Sequence, residues 1–90
     1  MDARTFLRKV QGYAVDSGNV FVVAHARQRM AERGISLPEI MGALRRGIVV
    51  EGPFLNAHGN WQATLRRFAA GQEIEIVVAI DNGVIVITIY

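Results

Sequence analysis

The sequence predicts an α+β fold: two to three N-terminal helices packed on one face of a four-stranded, mainly antiparallel C-terminal sheet. Two observations predict it. Up to residue 47, apolar residues recur with helical spacing between capping residues, whereas from Ile48 onward they follow strand-like runs separated by turns. Asn82-Gly83 between two apolar runs is also a strong hairpin pattern. With 90 residues, 51% of them apolar, the chain is expected to form a single domain over residues 1–90 with one core.

The first half of the chain predicts three helices. They are expected over residues 2–15, 24–33 and 37–46. Asp2 can cap the first helix, whose apolar face includes Phe6 and Val10. Gly34 supplies the left-handed conformation that ends the second helix. Ser36 and Glu39 have the spacing of a capping box at the start of the third.

The second half predicts four strands. They are expected near residues 48–55, 61–69, 72–80 and 84–90, with turns at His58-Gly59-Asn60, Ala70-Gly71 and Asn82-Gly83. A further apolar run, Val20-Phe-Val-Val23, is short, and we expect an edge strand that leads into the second helix. Residues 1–19 form a separate helix and turn ahead of the motifs that follow.

The last hairpin allows a prediction of register. If Asn82-Gly83 is a two-residue loop, the aligned pairs are Ile80 with Ile85, Val78 with Ile87, and Ile76 with Ile89. That face is wholly aliphatic and should be covered by the helices. The other face then carries Glu75, Thr88 and Tyr90, and folding back the preceding strand places Arg66 beside Glu75. A slip of one residue would exchange Arg66 for Arg67.

Composition excludes several classes of function. The chain has no Cys, which removes disulfides, thiolate catalysis and Cys-based zinc sites, and only two His, so we expect no metal and no cofactor. Nine Arg and one Lys give a net charge of +2, a bias that suits bidentate recognition of phosphate. Neither a signal peptide nor an apolar run of spanning length is visible. We therefore expect a cytoplasmic protein without a membrane segment.

The stretch from His25 to Ser36 carries the most distinctive chemistry. His25, Arg29 and Arg33 are spaced i, i+4 and i+8, so they form one stripe along the second helix. Ala26 and Met30 form an apolar stripe beside it. The cationic stripe should therefore border the core rather than lie opposite it.

The pattern HAxxRMxxRGIS, here His25 to Ser36, together with the terminal Val-Ile-Thr-Ile-Tyr, resembles the bacterial domain of unknown function 4258. The resemblance covers residues 20–90. That family is grouped with the RelE-like toxins in the barnase–EndoU–colicin–RelE class of metal-independent ribonucleases. The resemblance therefore implies a RelE-like fold, RNA as substrate, and a cognate antitoxin or immunity protein as partner. Family members often carry an apolar or small residue where this chain has Arg66-Arg67, so the resemblance gives these two no catalytic role.

Metal-independent RNA cleavage needs a base for the 2′-OH proton, an acid for the leaving 5′-oxygen, and donors around the phosphorane. Histidine is the side chain that titrates nearest neutrality, which makes His25 the candidate base. Arg29 and Arg33 are candidates to clamp the phosphate, and Thr88 to donate a hydrogen bond from the sheet. Arg66, Arg67 and Tyr90 are candidate RNA-binding residues, with Tyr90 able to stack on a base.

Structural explanations compete with these roles. His25 can cap its helix, Arg33 can simply complement the helix dipole, and Thr88 is a common strand residue. Arg66 and Glu75 are readily explained as a cross-strand ion pair. A non-catalytic module that binds nucleic acid or protein through the same basic surface is thus the second hypothesis. A DNA-reading helix-turn-helix over residues 24–46 is a third hypothesis. It is weakened because the second helix of that pair lacks an outward polar face apart from Arg45 and Arg46 at its C-terminal end.

Overall fold

The computed structural model describes residues 1–69 and 71–90. In chain order its elements are α1 (Ala3–Tyr13), a short 3-10 turn (Ser17–Asn19), β1 (Val20–Val22), α2 (Ala24–Arg33), α3 (Leu37–Arg46), β2 (Ile48–Leu55), β3 (Trp61–Ala69), β4 (Gln72–Ile80) and β5 (Val84–Ile89). The three helices and the α+β class are as predicted. The predicted turn Ala70-Gly71 includes Ala70, which lies outside the described residues.

Helix α1 begins at a side-chain cap. The Thr5 backbone N–H donates to Asp2 Oδ1 at 2.7 Å, and hydrogen bonds from Thr5 hold the pKa of the Asp2 carboxyl below its ordinary value. The inward face of the helix carries Phe6 and Val10, both fully buried. Burial of this face against the rest of the core stabilises a helix too short to form alone.

Helices α2 and α3 are separated by a sharp turn that the sequence encodes locally. Gly34 is left-handed with φ 65°, and the Ile35 N–H donates to the Met30 carbonyl at 2.9 Å. The capping box is formed: the Glu39 N–H donates to Ser36 Oγ at 3.3 Å, and the Ser36 N–H donates to Glu39 Oε1 at 3.1 Å.

The sheet has five strands rather than the four predicted, in the order β1-β5-β4-β3-β2. The four C-terminal strands are antiparallel neighbours, as expected, but β1 adds to β5 in parallel, so the sheet is mixed. A run of three strand residues shows no clear alternation, and its pairing with a strand about sixty positions later depends on the tertiary fold. The suggestion of an edge strand near residues 20–23 is confirmed.

The register predicted for the last hairpin is partly wrong. Its loop has three residues, Asp81–Gly83, and the aligned pairs are Ile80 with Val84, Ala79 with Ile85, and Val78 with Val86. A bulge at Ile87, between the pairs Val78–Val86 and Val77–Thr88, then restores the predicted pairing of Ile76 with Ile89. Consequently Val86 is buried in the core, whereas Ile85 and Ile87 lie on the opposite face.

The two faces of the sheet differ in chemistry. The core face carries Leu65, Ile76 and Ile89, all fully buried together with residues of α1 and α3. Trp61 packs against this core. We call the opposite side the outer face; across β3, β4 and β5 it presents Gln62, Thr64, Arg66, Phe68, Glu73, Glu75, Val77, Ala79, Ile85, Ile87, Thr88 and Tyr90. The prediction that Arg66 stands opposite Glu75 is confirmed.

Candidate functional site

Helix α2 is positioned along the edge of β5. Strand β1 covers β5 only as far as Val86, and the chain then turns into α2, with the Val23 N–H donating to the Val86 carbonyl at 3.3 Å. Farther along, Arg29 Nε donates to the Ile89 carbonyl at 3.0 Å. Helix α2 thus continues where β1 stops, and the Arg29 side chain satisfies a carbonyl at the edge of the last strand.

His25 contacts Thr88 across this junction. Its Nε2 lies 3.0 Å from Thr88 Oγ1, although the two residues are 63 positions apart in the chain. The imidazole is exposed, and the Thr88 side chain is partly buried. The alternative that His25 caps its helix is wrong, because the cap position is Val23, which has no side-chain hydrogen bond there. The pair predicted from the sequence therefore meets at a solvent-accessible edge of the outer face.

Arg29 lies one turn after His25, and part of its guanidinium already makes contacts within the protein. Besides its bond to the Ile89 carbonyl, its Nη1 lies 3.5 Å from Glu32 Oε1. An arginine that borders the core needs hydrogen-bond acceptors, and here a strand carbonyl and a carboxylate provide them. Its remaining guanidinium nitrogen, Nη2, makes no hydrogen bond to another described residue and can bind an anion.

Arg33 completes the stripe in the last turn of α2. Its side chain is exposed and makes no ion pair with the described residues. Its position at the carboxyl end of the helix favours a cation through the helix dipole, independently of any role in binding. Of the stripe, Arg33 is the member with the most freedom to reach a phosphate.

Arg66 and Arg67 lie on opposite sides of the sheet. Arg66 is on the outer face, where its Nε lies 3.2 Å from Glu73 Oε1 and its Nη2 lies 3.5 Å from Glu75 Oε2. The guanidinium of Arg67 lies against Gly42 of α3, on the core side. The structure therefore does not bring Arg67 to the surface that carries His25 and Thr88.

Tyr90 lies beside the Arg66–Glu75 pair. Its backbone N–H donates to the Glu75 carbonyl at 2.9 Å, and 55% of the residue is exposed. Thr88 and Tyr90 are both on the outer face. Tyr90 therefore adds an exposed aromatic residue to the surface that carries Thr88.

A cavity that the sequence did not predict opens on the same face. The turn between β2 and β3 approaches β4 and β5, and together they enclose about 410 Å³. The cavity is lined by Asn56, Ala57, His58, Asn60, Gln62, Ala79, Ile85 and Ile87. Sequence reasoning assigned His58 no role. The available clue was the concentration of amide side chains around that turn, Asn56, Asn60 and Gln62.

The helix-turn-helix interpretation finds little support in this geometry. Most of α3 is committed to the core, with Ile40, Met41, Ala43 and Leu44 buried. At its carboxyl end, Arg45 Nε donates to the Ala14 carbonyl at 2.9 Å. One of the two cations that gave this helix an outward polar face is therefore used internally.

Within residues 1–69 and 71–90, no three His, Cys, Asp or Glu side chains converge as a metal-binding cluster. None of the described helices combines the length and the apolar character required to cross a bilayer.

This is an α+β domain with a mixed five-stranded sheet and a His-Arg-Arg helix along one edge. Comparison with protein families identifies the class: the model of the domain of unknown function (DUF4258) matches residues 22–90. The chain belongs to this family, as the motif from His25 to Ser36 predicted. Comparison with curated proteins and with solved structures gave no significant match.

Proposed function

We propose that this domain is a metal-independent ribonuclease of RelE-like type that cleaves RNA by general acid–base chemistry. The observation that carries the proposal is the 3.0 Å contact between His25 Nε2 and Thr88 Oγ1 on an exposed edge of the sheet. A histidine oriented by a hydroxyl, open to solvent and followed by two arginines on the same stripe has the components that the reaction needs.

The chemistry follows from the orientation of the imidazole. When Nε2 carries the proton and donates to Thr88 Oγ1, the Nδ1 lone pair is free to accept a proton. His25 then takes the proton of a ribose 2′-OH as that oxygen bonds to the adjacent phosphorus. The P–O5′ bond breaks, and the 5′-oxygen takes a proton from water at this exposed site. The hydroxide so formed takes the proton from His25, which restores the neutral imidazole. The products are a 2′,3′-cyclic phosphate and a 5′-hydroxyl.

Two cations support the phosphorane in this scheme. Arg33 is exposed, and Arg29 is held at the sheet edge by the Ile89 carbonyl while its Nη2 remains available. Each supplies a charge-assisted hydrogen bond to the non-bridging oxygens, whose negative charge increases in the transition state. In this scheme the exposed Tyr90 stacks on a neighbouring base.

The direct test is RNA cleavage in the presence of EDTA. We expect His25→Ala to abolish cleavage while RNA binding, measured by fluorescence polarisation, is retained. Gln28→Ala is the matched control, because Gln28 is an exposed polar residue of the same helix. Thr88→Val should lower kcat about tenfold or more with little change in KM, and Thr88→Ser should restore it, as expected of a residue that orients the base. Cleavage unaffected by His25→Ala would refute the mechanism.

A non-catalytic binding module is the second candidate, favoured by the partial commitment of Arg29 to a carbonyl and to Glu32. This candidate predicts no cleavage at any enzyme concentration and loss of RNA binding in Arg33→Ala. Arg33 is the better test residue because removing Arg29 also removes a structural hydrogen bond.

The proposal includes a cognate antitoxin or immunity protein, since an unrestrained ribonuclease would damage the cell that makes it. Expression of the domain should inhibit bacterial growth, and His25→Ala should relieve the inhibition. Growth that is equally poor with both proteins would point to a cause other than RNA cleavage.

A further inference from the structure

The cavity on the outer face has a fixed wall of amide groups. Asn56 Oδ1 accepts hydrogen bonds from the backbone N–H groups of His58, at 2.9 Å, and Asn60, at 3.0 Å. Its Nδ2 donates to Gln62 Oε1 at 3.0 Å. Asn56 thereby holds the turn in shape and fixes the orientation of the Gln62 carboxamide before any ligand arrives.

Polar groups remain for a ligand. Gln62 Nε2, the side-chain amide of Asn60 and the ring of His58 make no hydrogen bond to another described residue. The exposed lining of the cavity is mostly apolar, and these groups supply its donors and acceptors. The opposite wall is aliphatic, formed by Ala79, Ile85 and Ile87.

The lining specifies the chemistry of the occupant. None of its eight residues is Arg, Lys, Asp or Glu, so the cavity suits an uncharged group rather than a phosphate. A lining that combines aliphatic side chains with amide and imidazole groups matches a planar heteroaromatic ring that carries hydrogen-bonding edges. A volume of about 410 Å³ lies within the usual range for small-ligand sites.

The cavity also adjoins the candidate catalytic pair. Ile87 lies on its wall, and the next residue, Thr88, contacts His25. A nucleotide with its base in the cavity would have its sugar and phosphate near the imidazole.

We infer that this cavity binds a single unstacked nucleobase of the RNA that is cleaved at His25. The inference rests on the proposed function and adds to it a specificity subsite, in which Asn60 and Gln62 read the edge of the base. Aliphatic side chains cover one ring face, and the turn of residues 56–60 closes over it.

The experiment is an NMR titration of the ¹⁵N-labelled protein with each of the four nucleoside 5′-monophosphates. Ribose 5-phosphate serves as the base-free control. At least one of the four should shift the side-chain amide signals of Asn60 and Gln62 and the backbone signals of Ile85 and Ile87, whereas ribose 5-phosphate leaves them in place. Gln62→Met and Asn60→Ala should each weaken that binding about fivefold to tenfold, as the loss of one hydrogen bond to the base predicts.

The matched control is Gln72→Met, because Gln72 is an exposed strand residue outside the cavity and should bind like the wild type. Equal shifts with ribose 5-phosphate, or no shift at these four residues up to the solubility of the nucleotides, would overturn the inference. Its failure is separable from that of the proposed function. If RNA is cleaved but these shifts are absent, only the base-binding subsite is refuted. If a base binds but no RNA is cleaved, only the ribonuclease proposal is refuted.

Discussion

At the scale of single residues, Arg29 stands out because it joins the candidate site to the stability of the fold. Its Nε donates to the last carbonyl of β5, at a sheet edge that β1 does not reach. Arg33, one turn farther along the same helix, is exposed. Arg29 therefore contributes to the stability of the fold whereas Arg33 does not, and mutation of each residue tests this difference.

Arg29→Ala should destabilise the protein by about 1–2 kcal/mol, because it leaves the Ile89 carbonyl without its side-chain donor. The measurement is the free energy of unfolding in urea. Arg33→Ala is the matched control and should change this free energy by no more than about 0.5 kcal/mol. If both variants unfold at the same urea concentration as the wild type, the hydrogen bond has no structural role.

At the scale of elements, α1 belongs to the same core as the segment that the family model matches. The match begins at residue 22, yet Phe6 and Val10 of α1 are fully buried in the cluster that includes Ile40, Leu65 and Ile76. In addition, the Gln11 side chain donates to the carbonyl of Arg45 at 3.2 Å. In this chain, α1 completes the packing around α3.

Phe6→Ala should therefore cost about 3–5 kcal/mol, the usual effect of removing a buried aromatic ring from a well-packed core. Thermal or urea denaturation followed by circular dichroism would measure it. Val15→Ala, at a residue that is 79% exposed, provides the comparison and should be nearly neutral. A small loss for Phe6→Ala would show that α1 is dispensable to the fold.

At the scale of the whole molecule, little unpaired positive charge lies beside the candidate site. The net charge is only +2. On the outer face, Arg66 is neutralised by Glu73 and Glu75. The free positive charge near the candidate site comes from α2, chiefly from Arg33 and the uncommitted part of Arg29.

RNA binding should accordingly depend only modestly on salt. With about two phosphates contacted, the slope of log K against log[KCl] for single-stranded RNA should be about −1.4. Fluorescence polarisation with the His25→Ala protein would measure binding without cleavage. Arg33→Ala should make the slope shallower by about 0.7. A slope as steep as about −4 would indicate a far larger phosphate-binding surface than α2 provides.

The sequence by itself determined the elements and the residues that meet at the candidate site. Helix and strand limits follow from interactions within a few residues, such as the Ser36–Glu39 capping box and left-handed Gly34. His25 and Thr88 were identified from the helical stripe and from a resemblance to a family. Their contact follows because Thr88 lies near the end of β5, beside α2.

Only the tertiary structure decided the rest. The parallel pairing of β1 with β5, the three-residue loop with its compensating bulge, and the separation of Arg66 from Arg67 depend on contacts between distant segments. The cavity arises in the same way, because the turn of residues 56–60 meets β4 and β5 only in the folded chain. Local patterns fix backbone conformation, whereas the final register and the groups that share a surface are settled when the whole core packs.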